Sequence, residues 1–261
     1  MKRIIYFLAL LPLLAMTAAC ENDPNIETAE PQSNETVFAG TVNDFIRQQG
    51  GYKGYTFDSL LQVLNNVEGI ADSLSQTRHE VTLFAVPDQS FTSAYNALNC
   101  YRSNMRLGGG VGLNDLLIEP FEIVDTVVNF NPVADSYDTT YVHHTYDYRE
   151  GLRQLSGRYV FMQPIASADI INGEYKSLVS REMVIQATYE DASGLSAAGA
   201  RHVQLIETRG SKQQATWVKA EVECPDIKCS NGYVHILSPR HEFGFNEITS
   251  YFANYGNEKN K

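Results

Sequence analysis

"TLFAVPDQSF", residues 82–91, joins two different patterns through one Pro-Asp step. Residues 81–85 form a β-branched and aromatic run of strand length, whereas the residues from Asp88 to about Asn99 suit a helix. Pro87 carries no N–H, so a strand ladder ends there, and its fixed φ suits the entry to a helix. Asp88 stands where a side-chain oxygen caps the helix that follows. Phe84 and Phe91 flank the corner, one on each element. The stretch predicts a sharp strand-to-helix joint.

Upstream, "TFDSLLQVLNNV" at 56–67 places Phe57, Leu60, Leu61 and Leu64 at helical spacing, with Thr56 positioned to cap it. Downstream, "RLGGGVG" at 106–112 lacks the Lys-Ser or Lys-Thr of a phosphate loop and predicts a flexible connection. A short helix at 114–117 and a strand at 123–130 follow. From Arg158 onward, apolar runs recur at 159–162, 183–189, 203–206, 217–222 and 233–237. They are separated by Asn172-Gly173, the small-residue stretch 192–199, Gly210 and Asn231-Gly232. A last helix is expected over 242–255, closed by Gly256. Helices early and antiparallel strands late give an α+β class, without the alternation of a doubly wound sheet. In "NGYVHILSP", 231–239, Asn231 and Gly232 are expected to supply the positive φ of a tight turn. Tyr233, His235 and Leu237 then share one face of the strand.

These two segments, 82–91 and 231–239, resemble the paired signature segments of the fasciclin (FAS1) domain, in that family's order. The helix at 56–67 resembles its lead-in. The resemblance covers about residues 40–240 and implies an early helical layer clamped on a β wedge, with the second segment packed near the first. It also implies an adhesive or ligand-binding role. Phe84, Pro87, Asp88, Phe91, Asn231, Gly232 and His235 are the motif residues it names. The chain is longer than the usual module, with the surplus at 131–157 and about 191–199, and "YREGLRQLSGRY" stands where the family's central Tyr-His pair is expected.

The N-terminus has a separate reading. Lys2 and Arg3 precede an apolar run at 4–16, and small residues lead to Cys20, the pattern of a secretory signal over 1–19 cut before a lipidated cysteine. The expected organisation is therefore this signal, a flexible acidic tether at 20–37 and one elaborated FAS1-like domain at 38–257. Acids soon after Cys20 resemble the surface-export signal of Gram-negative lipoproteins. The expected location is the outer membrane, anchored in its lipid by acylated Cys20 and exposed at the cell surface.

The formal charge of −11 on 261 residues, with scattered basic residues, argues against a nucleic-acid partner. Cys224 and Cys229 enclose "PDIK" and close a disulfide if the chain bends at Pro225 and Asp226. Zinc is the rival reading, for which C-x4-C offers no second ligand pair. Cys100 reads as a buried free thiol. His235 alternates with apolar neighbours and has no nucleophile nearby in sequence, which points to a hydrogen-bonded core residue.

The stretch 131–157 is rich in tyrosine. Tyr137, Tyr141, Tyr146 and Tyr148 are the candidate binding residues, because tyrosine rings stack on sugars while their hydroxyls stay wet. Covering the domain's own core is the other reading of these rings. His143, His144, Asp138 and Asp147 lack ligand spacing, so neither metal nor cofactor is expected. Adjacent histidines on a strand point to opposite faces. No carboxylate pair sits in a recognisable catalytic setting, so the expectation is a non-enzymatic surface lipoprotein that mediates adhesion or binds a glycan or partner protein. The alternatives are an accessory subunit of an outer-membrane nutrient transporter and, last, a glycan-active enzyme.

Overall fold

The computed structural model of the chain describes residues 36–48, 50–190 and 200–257. The signal segment, Cys20 and the acids up to residue 35 lie outside them, as does the small-residue stretch 192–199. In chain order the elements are β1 (Thr36–Val37), α1 (Val42–Arg47), α2 (Asp58–Asn66), α3 (Ile70–Ser75), β2 (Val81–Ala85), α4 (Asp88–Asn104) and α5 (Leu113–Leu116). Then come β3 (Phe121–Asn131), β4 (Ser136–Tyr146), α6 (Tyr148–Ser156), β5 (Val160–Phe161), β6 (Gly173–Lys176), β7 (Glu182–Tyr189), β8 (Arg201–Glu207), β9 (Val218–Cys229), β10 (Gly232–Leu237) and α7 (Ile248–Phe252).

The main sheet runs β5-β2-β10-β9-β8-β7-β6, with β1 alongside β9. Consecutive late strands pair antiparallel, as their hairpin turns require. Strand β2, from the early half, pairs parallel with β10, and Leu83 lies opposite Val234 and Phe84 opposite His235. The segments 82–91 and 231–239 are thus neighbours in one sheet. Every residue of β2 is buried; its one polar side chain, Thr82, is satisfied by donating to the Gln163 carbonyl (2.8 Å) and accepting the Ile165 N–H (2.8 Å). Past the Pro87 corner, the Phe91 ring of α4 stacks on Phe243 with centroids 4.1 Å apart. Helix α2 buries Leu60, Val63 and Leu64 in the same core.

Asp88 does not cap its own helix. Pro87 is the N-cap of α4, with no side-chain bond. The Asp88 carboxylate instead accepts the N–H groups of Asp58 (3.1 Å) and Ser59 (2.7 Å), capping α2 from thirty residues away. Thr56, the expected cap, gives its carbonyl to the Asp88 N–H. Helix α4 also runs past residue 99 to Asn104, and Cys100 lies exposed on it rather than buried. The glycine run beyond is pinned rather than free. Buried Arg102 donates to the carbonyls of Leu107, Gly109, Ala253 and Tyr255, and Asn99 exchanges two bonds with Val111.

The turn between β9 and β10 works differently from the sequence expectation. Of its residues only Gly232 has positive φ, at 146°, and a Cβ there would collide with the Val81 carbonyl. Asn231 is buried, and its amide accepts the Val42 N–H (2.8 Å) and donates to the carbonyls of Leu74 (2.9 Å) and Gln76 (2.8 Å). One side chain thereby joins α1, the end of α3 and the sheet.

Three further expectations are corrected. Cys224 and Cys229 are free, because residues 224–229 do not bend back but continue β9. Their partners on β10, Ile236 and Gly232, are four residues apart, about 13 Å by strand rise and beyond disulfide reach. Pro225 is tolerated because the ladder is irregular there: Asp226 takes φ 58° and its N–H bonds His235. The last helix shortens to Ile248–Phe252, since Gly244, Phe245 and Asn246 are left-handed while Phe243 and Phe245 are drawn into the core. Residues 36 and 37, expected in the tether, form β1 against Ile227 and Lys228. The described residues group as one unit.

Candidate functional site

The tyrosine-rich stretch 131–157 supplies the second strand of a long hairpin, whose first strand precedes it, and then α6. Strands β3 and β4 pair from Phe121 opposite Tyr146 at the base to Asn131 opposite Ser136 at the tip. Both are dominated by Val, Thr, Tyr and Phe, residues that favour extended backbone. Asn131 fixes the turn. Its Oδ1 accepts from Val133 (3.1 Å) and Ala134 (3.3 Å), and its Nδ2 donates to Asp138 (3.1 Å).

Side chains alternate, so the register sorts them onto two faces. One face turns to the body at its base, where Phe121 stacks on Tyr146 with centroids 5.5 Å apart and lies 5.9 Å from Tyr148. The other face sets Val124, Thr126, Val128 and Phe130 opposite His143, Tyr141, Thr139 and Tyr137. It is exposed throughout: Val128 is 57% exposed, Phe130 52%, Tyr137 72% and Tyr141 65%. Phe130 and Tyr137 contact each other at 5.3 Å. The contact of His143 with Glu122 at 2.9 Å, on this face, lies toward the base, and His144 sits 3.4 Å from Asp125 on the opposite face.

The four candidate tyrosines therefore divide. Tyr137 and Tyr141 share the open face. Tyr146 is on the other, and Tyr148, in α6, packs against Tyr255 (4.9 Å) and Phe252 (6.4 Å) as part of the core's edge. The sequence reading missed Val124, Val128 and Phe130 as members of this surface. Their spacing of two, opposite a Tyr/Thr run of equal length, was the available signal.

Two other clusters hold reactive residue types. His235 is fully buried; its Nε2 donates to the Ile165 carbonyl (2.7 Å) and its Nδ1 accepts the Asp226 N–H (3.1 Å). Burial lowers its basicity against the favourable pull of the Ile165 carbonyl and Asp226. Nearby, the Ser167 hydroxyl bonds the Asp226 carboxylate, which also accepts the Ser167 N–H (2.6 Å). Serine, aspartate and histidine meet here, but both imidazole nitrogens are committed and neither faces the hydroxyl, so His235 is not placed to act as a base on Ser167. The second cluster lines a cleft of ≈ 280 Å³ with Glu68, Glu119, Asp147, Glu150, Arg149 and Arg153. Its arginines are taken up by Glu119 (2.8 Å) and Glu150 (2.6 Å), and the bond from Arg153 holds the Glu150 carboxyl below the usual carboxylate range. Among the described residues no group of three or more His, Cys, Asp and Glu is placed to hold a metal, and no helix is long and apolar enough to cross a membrane.

No protein-family model matches the chain, and no curated protein matches it. Among solved structures, the chain is similar to a FAS1 domain pair from the insect cell adhesion molecule fasciclin I, with 14% identity and a TM-score of 0.39. The match covers 72% of this chain and 44% of that one.

Proposed function

We infer that the protein is a FAS1-like recognition module, without catalytic chemistry, that binds a glycan or a partner protein through the open face of the β3–β4 hairpin. The observation that carries this reading is the face itself. On a chain of formal charge −11, the strip from Val124 and Thr126 to Phe130, Tyr137 and Tyr141 is exposed, uncharged and rich in aromatic and β-branched residues. The parallel pairing of the segments 82–91 and 231–239 supports the FAS1-like assignment. The signal-like residues 1–19, Cys20 and the acids after it support an acylated protein held at the outer face of the outer membrane.

The test uses the full acylated chain on cells. Tyr137→Ser with Tyr141→Ser should lower retention on a glycan array, or recovery of a co-purifying membrane protein, by about thirtyfold, since each lost aromatic contact is worth roughly 1 kcal/mol. Recovery of a transporter with no glycan signal would assign the accessory role in nutrient uptake. Retention unchanged in both assays would remove the hairpin face from recognition. Turnover of a glycan by the purified chain would overturn the non-enzymatic reading.

A further inference from the structure

The two sheets treat their edges differently. The main sheet ends in β5, two residues long, and β6, four residues long, so its edges offer few unpaired backbone groups. The hairpin has two edges of eleven residues each, and among the described residues no third strand covers either. Strand β4 contains no proline, glycine or lysine, the residues that commonly blunt an edge.

We propose that β4 pairs antiparallel with β4 of a second copy of this chain, about a two-fold axis at Tyr141, so that two hairpins make one four-stranded sheet. A two-fold axis perpendicular to a sheet keeps each face on its own side, so facing residues must be of like parity. The register that aligns the whole strand sets Ser136 against Tyr146 of the second copy and Tyr141 against its own mate. In that same register Asp138, the only acid of β4, faces His144 of the second copy, and the symmetry repeats the pair. Sliding by two residues in either direction shortens the ladder and sets Asp138 against Val142 or Tyr146. Strand β3 offers no such match, because it holds Glu122 and Asp125 and no basic residue. Full overlap and a carboxylate–imidazole match thus select one register on one edge. The pairing also relieves a two-stranded ribbon of marginal stability, and it joins the two open faces side by side. It goes beyond the proposed recognition role and does not depend on it.

Cysteine cross-linking of the full chain reads the register directly. In a Cys100→Ser background, which removes the exposed thiol, Tyr141→Cys places two thiols on facing residues. Their Cα separation of about 4.5–5.5 Å falls within disulfide geometry. Thr139→Cys mates would lie four residues of strand apart, about 13 Å. Mild oxidation should give a covalent dimer with Tyr141→Cys about tenfold above both Thr139→Cys and the parent, since only facing positions meet disulfide geometry. Tyr137→Cys mixed with Thr145→Cys should cross-link only as the mixture. Equal cross-linking at 139 and 141 would mean random collision and overturn the pairing. So would a Tyr141→Cys yield no higher than the parent's, which would leave the edge to a strand of another protein.

Discussion

Two hairpins of this molecule each carry an asparagine at the turn, and the two asparagines do opposite things. Asn131, at the tip of β3–β4, binds its own turn and its cross-strand neighbour Asp138. Asn231, between β9 and β10, binds Val42, Leu74 and Gln76, none of which belongs to its hairpin. The first closes a loop that stands in solvent. The second is a buried clamp between the helical layer and the sheet. The same side chain, in the same kind of loop, is local or global according to what the turn is packed against. That difference also divides the molecule into a part that specifies the fold and a part free to meet other molecules.

The strongest way to break the comparison is at Gly232. Alanine there needs a left-handed backbone and a Cβ where the Val81 carbonyl sits, so Gly232→Ala should cost on the order of 4 kcal/mol or more. Urea unfolding should show it as a collapsed midpoint, while Gly210→Ala, with open space around the Cβ position, should cost only about 1 kcal/mol. Next come the asparagines. Asn231→Ala leaves one N–H and two carbonyls without their partner in the interior and should cost about 3 kcal/mol, against about 0.5 kcal/mol for Asn131→Ala. Equal losses would mean that the tip and the clamp carry the same load.

Asp88 sharpens the same contrast through pH. Burial raises its carboxyl, but the bonds from Thr56, Ser59 and Asp58 together outweigh burial and hold it below the ordinary aspartate value. A carboxyl depressed in the folded state contributes stability above its unfolded value and loses it as pH falls through the folded one. Wild type should therefore exceed Asp88→Asn by about 1 kcal/mol near neutrality. The gap should close below about pH 4. A gap constant down to pH 2 would show that the carboxylate charge is not what caps α2.

These residues also mark how far the sequence could be read. The corner at Pro87 and the strands on either side of residue 210 were legible because proline, glycine and apolar runs act locally. The partner of Asp88 was not, since the N–H groups it caps come from thirty residues earlier and only the fold brings them near. Asn231 was read as a turn residue for the same reason. Strand β4 was missed because its Tyr, Thr and His residues alternate in no apolar-polar pattern; with one face open and the other only partly covered, nothing imposes one. The disulfide expectation failed on Pro225, which looked like a bend and is accommodated as an irregularity within a continuing strand. Of the open hairpin face, the sequence pointed to Tyr137 and Tyr141 but not to the valines and Phe130, since the pairing that unites them is visible only as a register.

The smallest expected effect on stability is the most direct test of the divide. Val128→Thr and Phe130→Thr remove apolar atoms that are already more than half in water, so each should shift global stability by no more than about 0.5 kcal/mol. Backbone amide exchange should then separate the hairpins. Amides of β10, buried between β2 and β9, should exchange only through global unfolding, whereas those of β3 and β4 beyond Thr126 should open locally at a far smaller free energy. Protein concentration supplies the discriminating variable. Pairing at the β4 edge would slow exchange on β4 more than on the outer edge of β3 as concentration rises, and a ligand seated on the open face alone would leave that asymmetry absent. Exchange on β3–β4 as slow as on β10 in dilute protein would show that the hairpin is held by the body along its whole length, and the molecule would no longer divide as its two asparagines suggest.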